Sequence, residues 1–326
     1  MNTMILSQAE VKECLPYENV NAMVETVFRE WGKRNIVMPS KINLDMSRSG
    51  FDSWSNAMPA YLASYNIAGI KWIGGYTSNP SKGLPYIMGL IILTDPETGR
   101  TLSIMDGVYI SDWRTGASAA IAAKYLANGN VKKIALVGAG AQGRTASACI
   151  RQIFPSAQIV VADISRERRE AFIVEMNEKF HLDILNVPSV ENAVSDSEVV
   201  ILLTTAKTPF VKNEWLAKGS VTLAMGSYQQ TEDSFVLAAD KIVVDFWEQA
   251  AHRGELKKLV AMGKISAKDI YAELGYIVAG EKPARENPKD RILAIVGGLG
   301  AHDVFIAGQT YKKALKKGLG QMVRLN

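Results

Sequence analysis

At 326 residues the chain is long for a single core and suggests two domains. With 48% apolar and 21% charged residues it reads as globular rather than disordered. A net charge of +4, with basic and acidic residues interspersed, excludes the electrostatic footprint of a nucleic-acid binder. Apolar runs fall far short of the roughly 20 residues a membrane helix needs, so no membrane association is expected. No basic segment followed by an apolar one opens the chain, so no export signal is expected. Cys14 and Cys149 are far apart and lack metal-ligand spacing, which fits a reducing, cytoplasmic setting.

In chain order, a short strand (Met4, Ile5, Leu6) precedes Ser7, which with Glu10 forms a capping-box pattern. A helix is expected from about Tyr17 to Lys33, with Val20, Met23, Val24, Val27, Phe28 and Trp31 on its apolar face. From Met38 to Met105 the pattern is β, with strands at 41–44, 56–62, 68–74, 86–94 and 101–105. Strands without intervening helices predict an antiparallel or mixed sheet. The turn-rich segment 78–85 is a loop that could lie over a site. Asp112-Trp113-Arg114-Thr115-Gly116 then opens a helix of small residues over 117–126.

The segment 131–145 carries the most specific signal. The apolar run Ile134–Val137 leads into Gly138-Ala139-Gly140-Ala141-Gln142-Gly143 and then into a helix through Ile153. Strand, G-x-G-x-x-G and helix in this order form the dinucleotide-binding fingerprint, in which main-chain N–H groups at the helix start face a pyrophosphate. A second strand, Gln158–Ala162, ends in Asp163, an acid suited to a ribose 2′-hydroxyl. Asp163 favours NAD, while Arg166, Arg168 and Arg169 leave NADP open. Strands at 198–204, 220–225, 241–245 and 292–296, with helices at 190–194 and 213–216, predict a doubly wound parallel sheet. Asp303 follows a glycine cluster and can cap a final helix over 304–317. That helix is expected to return to the first domain. The expected division is 1–114 with 303–326, a discontinuous β-rich domain, and 115–302, a Rossmann domain.

Several ordered segments carry a family resemblance: Met58-Pro59-Ala60, Gly69-Ile70-Lys71-Trp72, Asn79-Pro80, Gly83-Leu84-Pro85 and 93–99, then Arg114-Thr115-Gly116-Ala117 and 122–126. Val243-Val244-Asp245, Glu248-Gln249-Ala250 and Glu273-Leu274-Gly275 continue it. Over essentially its whole length the chain resembles the ornithine cyclodeaminase/mu-crystallin family. The resemblance implies a Rossmann domain beside a β-rich domain that pairs in a homodimer, and redox chemistry at the carbon–nitrogen bond of a small amino or imino acid. It implies catalytic roles for Lys71, Arg114 and Asp303, with Arg114 between substrate and cofactor. Lys41, Asn56, Lys71 and Arg114 are the implied substrate contacts. Arg114, Thr115, Gly138, Gly140, Ala141, Gln142, Gly143, Asp163, Ser165, Arg166, Thr204, Thr205, Met225, Gly226 and Ser227 are the implied cofactor contacts.

Each position also has a plainer reading. Lys71 can be an outward lysine on its strand, Lys41 a solvated edge residue, and Asp303 a helix cap. His302 reads as structural, and no residue cluster has metal-ligand spacing. Ornithine cyclodeaminase itself carries an aspartate after the glycine following the fourth Rossmann strand. Here that segment reads Met225-Gly226-Ser227-Tyr228-Gln229-Gln230, and Asn56 stands where relatives often carry charge. Both departures favour a dehydrogenase or imine reductase over ornithine cyclisation. A nicotinamide-binding protein without turnover is the remaining alternative, and retention of Lys71 and Arg114 argues against it.

Overall fold

The structure, a computed structural model, describes residues 2–325. The chain divides into two compact units, Met1–Arg114 with Leu299–Asn326, and Thr115–Gly298. The return to the first unit therefore comes at Leu299, ahead of the expected residue 303. The reason is local: the final helix begins at Gly300 rather than Val304.

In the first unit, strands β1 (Asn2–Leu6), β2 (Ile36–Val37), β3 (Ile42–Asp45), β4 (Ser53–Leu62), β5 (Ile67–Tyr76), β6 (Ile87–Thr94) and β7 (Thr101–Asp106) form one sheet with the C-terminal strand Gln321–Arg324. The order is Gln321–Arg324, β1, β7, β6, β5, β4, β2, with β3 also pairing β4. All pairs are antiparallel except β1 with β7, so the sheet is mixed. Helix α1 (Gln8–Cys14) starts at Ser7, whose side chain accepts the Glu10 N–H while the Glu10 carboxylate accepts the Ser7 N–H at 2.8 Å. Helix α2 (Val20–Gly32) follows a single 3-10 turn, Tyr17–Asn19, and buries Val20, Val24, Val27 and Phe28.

The sheet has two unlike faces because side chains alternate along each strand. Met58, Lys71 and Ile91 lie opposite one another across β4, β5 and β6, and all three are buried. The C-terminal helix Gly300–Lys317 packs on β4, β5 and β6. Its first residue must be small, since a Cβ on Gly300 would stand 2.9 Å from the Met58 carbonyl oxygen. The other face carries the row Ile42, Ala57, Trp72 and Leu90, together with Met88; Ile42, Trp72, Met88 and Leu90 are exposed.

The helix expected to begin near residue 117 instead runs as α3 (Val108–Leu126). The Asp106 carboxylate accepts the Tyr109 N–H at 3.0 Å, so the helix starts well before Arg114, which lies within it. Trp113 is a packing residue, stacked on Tyr17 at 4.7 Å.

The second unit holds eight parallel strands: β8 (Lys133–Val137), β9 (Gln158–Ala162), β10 (Ile184–Asn186), β11 (Val199–Leu202), β12 (Val221–Ala224), β13 (Lys241–Val244), β14 (Ala272–Glu273) and β15 (Ile292–Ile295). Their order is β10-β9-β8-β11-β12-β15-β13-β14. The chain moves outward from β8 in one direction and then in the other, so the fold is doubly wound, with its switch point between β8 and β11. The segment expected as a helix at 213–216 is a 3-10 turn, Asn213–Trp215. The core on one side of this sheet includes Val137, Val160, Leu202, Val244 and Leu293.

Candidate active site

Within the first unit, three segments far apart in sequence converge. Lys71 projects from the covered face of β5, Arg114 from α3, and Asp303 from the first turn of the C-terminal helix. The Lys71 ammonium lies 2.8 Å from Asp303 Oδ2, and Arg114 Nε donates to Asp303 Oδ1 at 3.1 Å. Ser111, one turn before Arg114, accepts from Lys71 Nζ at 3.1 Å and from Arg114 Nη2 at 3.4 Å. Lys71 and Asp303 are wholly buried, and Arg114 and Ser111 nearly so. Asp303 is therefore not the helix cap: Leu299 takes that position, and the carboxylate is committed to the two cations.

The electrostatics follow from that packing. Burial first, then the Arg114 charge, push Lys71 down to about 8 against the opposing pull of Asp303. Burial works to raise Asp303, but Arg114 and Lys71 outweigh it and hold the carboxylate below its ordinary value. Asp303 Oδ2 is thus paired with the Lys71 ammonium and Oδ1 with the Arg114 guanidinium. His302 beside it is fully buried, meets Phe28 edge-on at 4.6 Å, and is pushed down to about 3 by burial and then by Arg114. It is a neutral neighbour of the charged group.

Lys41 is half-buried just before β3. Asn56 is buried on the Lys71 side of β4, and its Oδ1 accepts from Asn43 Nδ2 at 2.9 Å. Ser111 went unnoticed in the sequence because its relation to Arg114 exists only once the helix begins at Val108.

In the second unit, the glycine segment lies between β8 and helix α4 (Ala141–Ile153). Gly138 has φ +117, and a Cβ on Gly143 would stand 2.5 Å from the Gly138 carbonyl oxygen, so both positions exclude side chains. Gly140 begins the helix without a side-chain cap, and a Cβ there would meet nothing within 4 Å. Gly140 and Ala141 are exposed. An open, uncapped helix start of this kind fits a dinucleotide pyrophosphate. Asp163 Oδ2 accepts the Ala139 N–H at 2.9 Å, and its Oδ1 accepts the Ser165 N–H at 2.9 Å. Ser165 caps helix α5 (Arg166–Phe180) by accepting the Arg168 N–H. Arg166 is exposed and pairs with Glu170 at 2.7 Å, while Arg169 is held by Asn186 and the Asp163 carbonyl. Thr204 and Thr205 follow β11, and Met225, Gly226 and Ser227 follow β12, all at carboxyl ends of parallel strands. Thr115 lies within α3.

Among the described residues, no group of three or more His, Cys, Asp or Glu could hold a metal ion, and no helix is long and apolar enough to cross a membrane.

A doubly wound dinucleotide fold and a buried Lys–Asp–Arg cluster together define an oxidoreductase class, and the comparisons narrow it to a family. The profile of the ornithine cyclodeaminase/mu-crystallin family matches residues 1–318, and the chain belongs to that family. It is 35% identical to the alanine dehydrogenase of Archaeoglobus fulgidus over 327 residues, covering 99% of each chain. A solved archaeal alanine dehydrogenase dimer with bound NAD superposes with a TM-score of 0.92 at 33% identity, covering 100% of both chains. The Δ1-pyrroline-2-carboxylate reductase of Thermococcus litoralis, solved with NADH and L-proline, also gives 0.92, at 30% identity over 98% of this chain and 100% of that one.

Proposed function

We propose that the chain is an NAD-dependent oxidoreductase acting at the carbon–nitrogen bond of a small α-amino or α-imino acid, as an amino-acid dehydrogenase or imine reductase. The observation that carries this reading is the buried Lys71–Asp303–Arg114 cluster, in which Lys71 is pushed down to about 8. A proton-exchanging group works best with its pKa near the operating pH. When bound, the nicotinamide supplies or accepts the hydride. Lys71 exchanges the proton at the substrate nitrogen, and Arg114 holds the substrate carboxylate. Asp303 orients both cations. Asn56 and Lys41 contact the rest of the substrate. The glycine loop, Asp163 and Ser165 with Arg166, and the segments at 204–205 and 225–227 hold the dinucleotide. Asp163 sets the preference for NAD, since its carboxylate repels a 2′-phosphate.

We read the working form as a cytoplasmic homodimer. Neither cysteine is in a disulfide, and both are buried. The outer sheet face exposes Ile42, Trp72, Met88 and Leu90 together, a patch suited to a second copy. Trp72→Glu should convert a dimer to a monomer in analytical ultracentrifugation, and a monomeric wild type would contradict this assignment.

The activity is tested by following reduced-nicotinamide absorbance with a panel of amino acids, pyruvate with ammonia, and cyclic imines. NAD-linked turnover on at least one supports the reading. A protein that binds cofactor yet turns over none of them contradicts it.

A further inference from the structure

Glu255 is a buried carboxylate that the proposed chemistry does not use. It is 1% exposed and has no cationic partner within ion-pair distance among the described residues. Its oxygens instead accept the Gln230 N–H at 3.0 Å, the Thr231 N–H at 2.7 Å and the Thr231 hydroxyl. The main chain at 230–231 is thereby fixed, and with it the Gln230 side chain. Gln230 Nε2 donates to the Thr204 carbonyl at 2.7 Å and to Thr204 Oγ1 at 2.6 Å. A Cβ on Gly226 would stand 2.7 Å from the same nitrogen, so that position has room only for glycine. A Cβ on Gly254, the residue before Glu255, would lie 3.2 Å from the Gly226 carbonyl oxygen. One acid and one amide thus tie together the segments that leave β11 and β12.

Those segments lie at the carboxyl ends of strands on the far side of the switch point from the glycine loop. In such folds the second half of a dinucleotide covers that region. We propose that Glu255 and Gln230 are positioning residues that hold the Thr204 and Gly226 segments ready for the nicotinamide half of the cofactor. The proposal rests on the dinucleotide reading above. Three donors converging on one carboxylate keep the segment ordered before binding, so ordering it is not charged against affinity. Neither residue needs to touch the cofactor. Gln230 Oε1, buried and without a donor in the described chain, is left over from this arrangement: the amide is oriented for Thr204 rather than for its own full satisfaction.

The test uses full-length Glu255→Gln and Gln230→Met, the second nearly conserving volume while removing only the strap to Thr204. NADH affinity is measured directly by fluorescence titration, alongside the melting temperature and the KM for the amino or imino acid. Positioning predicts an NADH Kd raised about tenfold in each variant, with the substrate KM unchanged. Should Glu255→Gln fail to fold, Gln230→Met alone decides the matter. A lowered melting temperature with an unchanged Kd in the folded variants makes the cluster merely structural and overturns the proposal. Wild-type protein that fails to bind NADH removes the dinucleotide reading and this inference with it. Wild-type binding with unaltered variants removes the inference alone.

Discussion

The glycine loop of the second unit and the Lys71 cluster of the first solve opposite physical problems. The loop works by removing side chains: its residues are contiguous, Gly140 and Ala141 are exposed, and, Gln142 aside, its polar groups belong to the main chain. The cluster works by burying long charged side chains drawn from β5, α3 and the C-terminal helix, with one carboxylate between two cations. Binding a pyrophosphate requires an open surface and fixed N–H groups. Moving a proton at neutral pH requires desolvation, and a buried lysine remains tolerable only with its counter-ion in place. The two regions should therefore fail differently when altered.

The sharpest break is Asp303→Ala. It leaves Lys71 and Arg114 buried without their shared carboxylate, a loss of about 3–5 kcal/mol when one partner of a buried pair is removed. The melting temperature should fall on the order of 10 °C in calorimetry. Turnover should fall about 10³-fold or more. A stable, active Asp303→Ala protein would mean that the charges are not coupled as the geometry indicates.

The pH dependence comes next. In the oxidative direction neutral Lys71 must receive the proton, so the rate should climb about tenfold per pH unit below an inflection near the value of about 8 and level off above it. In the reductive direction protonated Lys71 is the donor, and the rate should fall above the same point. The linkage to stability has a definite sign. Lys71 is lowered from 10.5 to about 8, so between those values the unfolded chain holds a proton that the folded chain has released. Its contribution to stability therefore rises with pH across that window. Asp303, held below its ordinary value, contributes stability that is lost as acid protonates it. Denaturation midpoints measured across pH check both signs.

A smaller effect is expected on the cofactor side. Asp163→Ser should weaken NADH binding by about tenfold through loss of charge-assisted hydrogen bonds to Ala139 and the ribose. NADPH binding should improve relative to wild type, and fluorescence titration with both cofactors reads the ratio. Smallest is Ser111→Ala, which removes one neutral acceptor from two cations that keep Asp303, and should slow turnover by about three- to tenfold.

The contrast also explains what could be read in advance. The glycine loop was legible because strand, glycines, helix and terminal acid follow one another along the chain, and α4 spans the expected residues. The β-rich unit was legible as strands, and the doubly wound order as alternation. The direction of Lys71 was not. Both sheet faces are apolar, so Ile70, Trp72 and Ile73 around it carry no alternation that says which face is covered. The start of α3 lies ahead of the expected helix because the Asp106 carboxylate, close in sequence but not a helical residue, accepts the Tyr109 N–H. Asp303 looked like a cap because Gly297-Gly298-Leu299-Gly300 reads as loop, whereas the helix already includes Gly300. Strands β10 and β14 are too short to show a period. Ser111 and Glu255 matter through partners that folding, not sequence proximity, selects.

The division of labour between the two units is tested most directly by a single variant, Lys71→Met, assayed twice. NADH titrated into the folded variant should give the wild-type Kd, while turnover of the best amino or imino acid substrate falls about 10³-fold. Undiminished turnover in Lys71→Met would contradict the proton-exchanging role assigned to the buried amine.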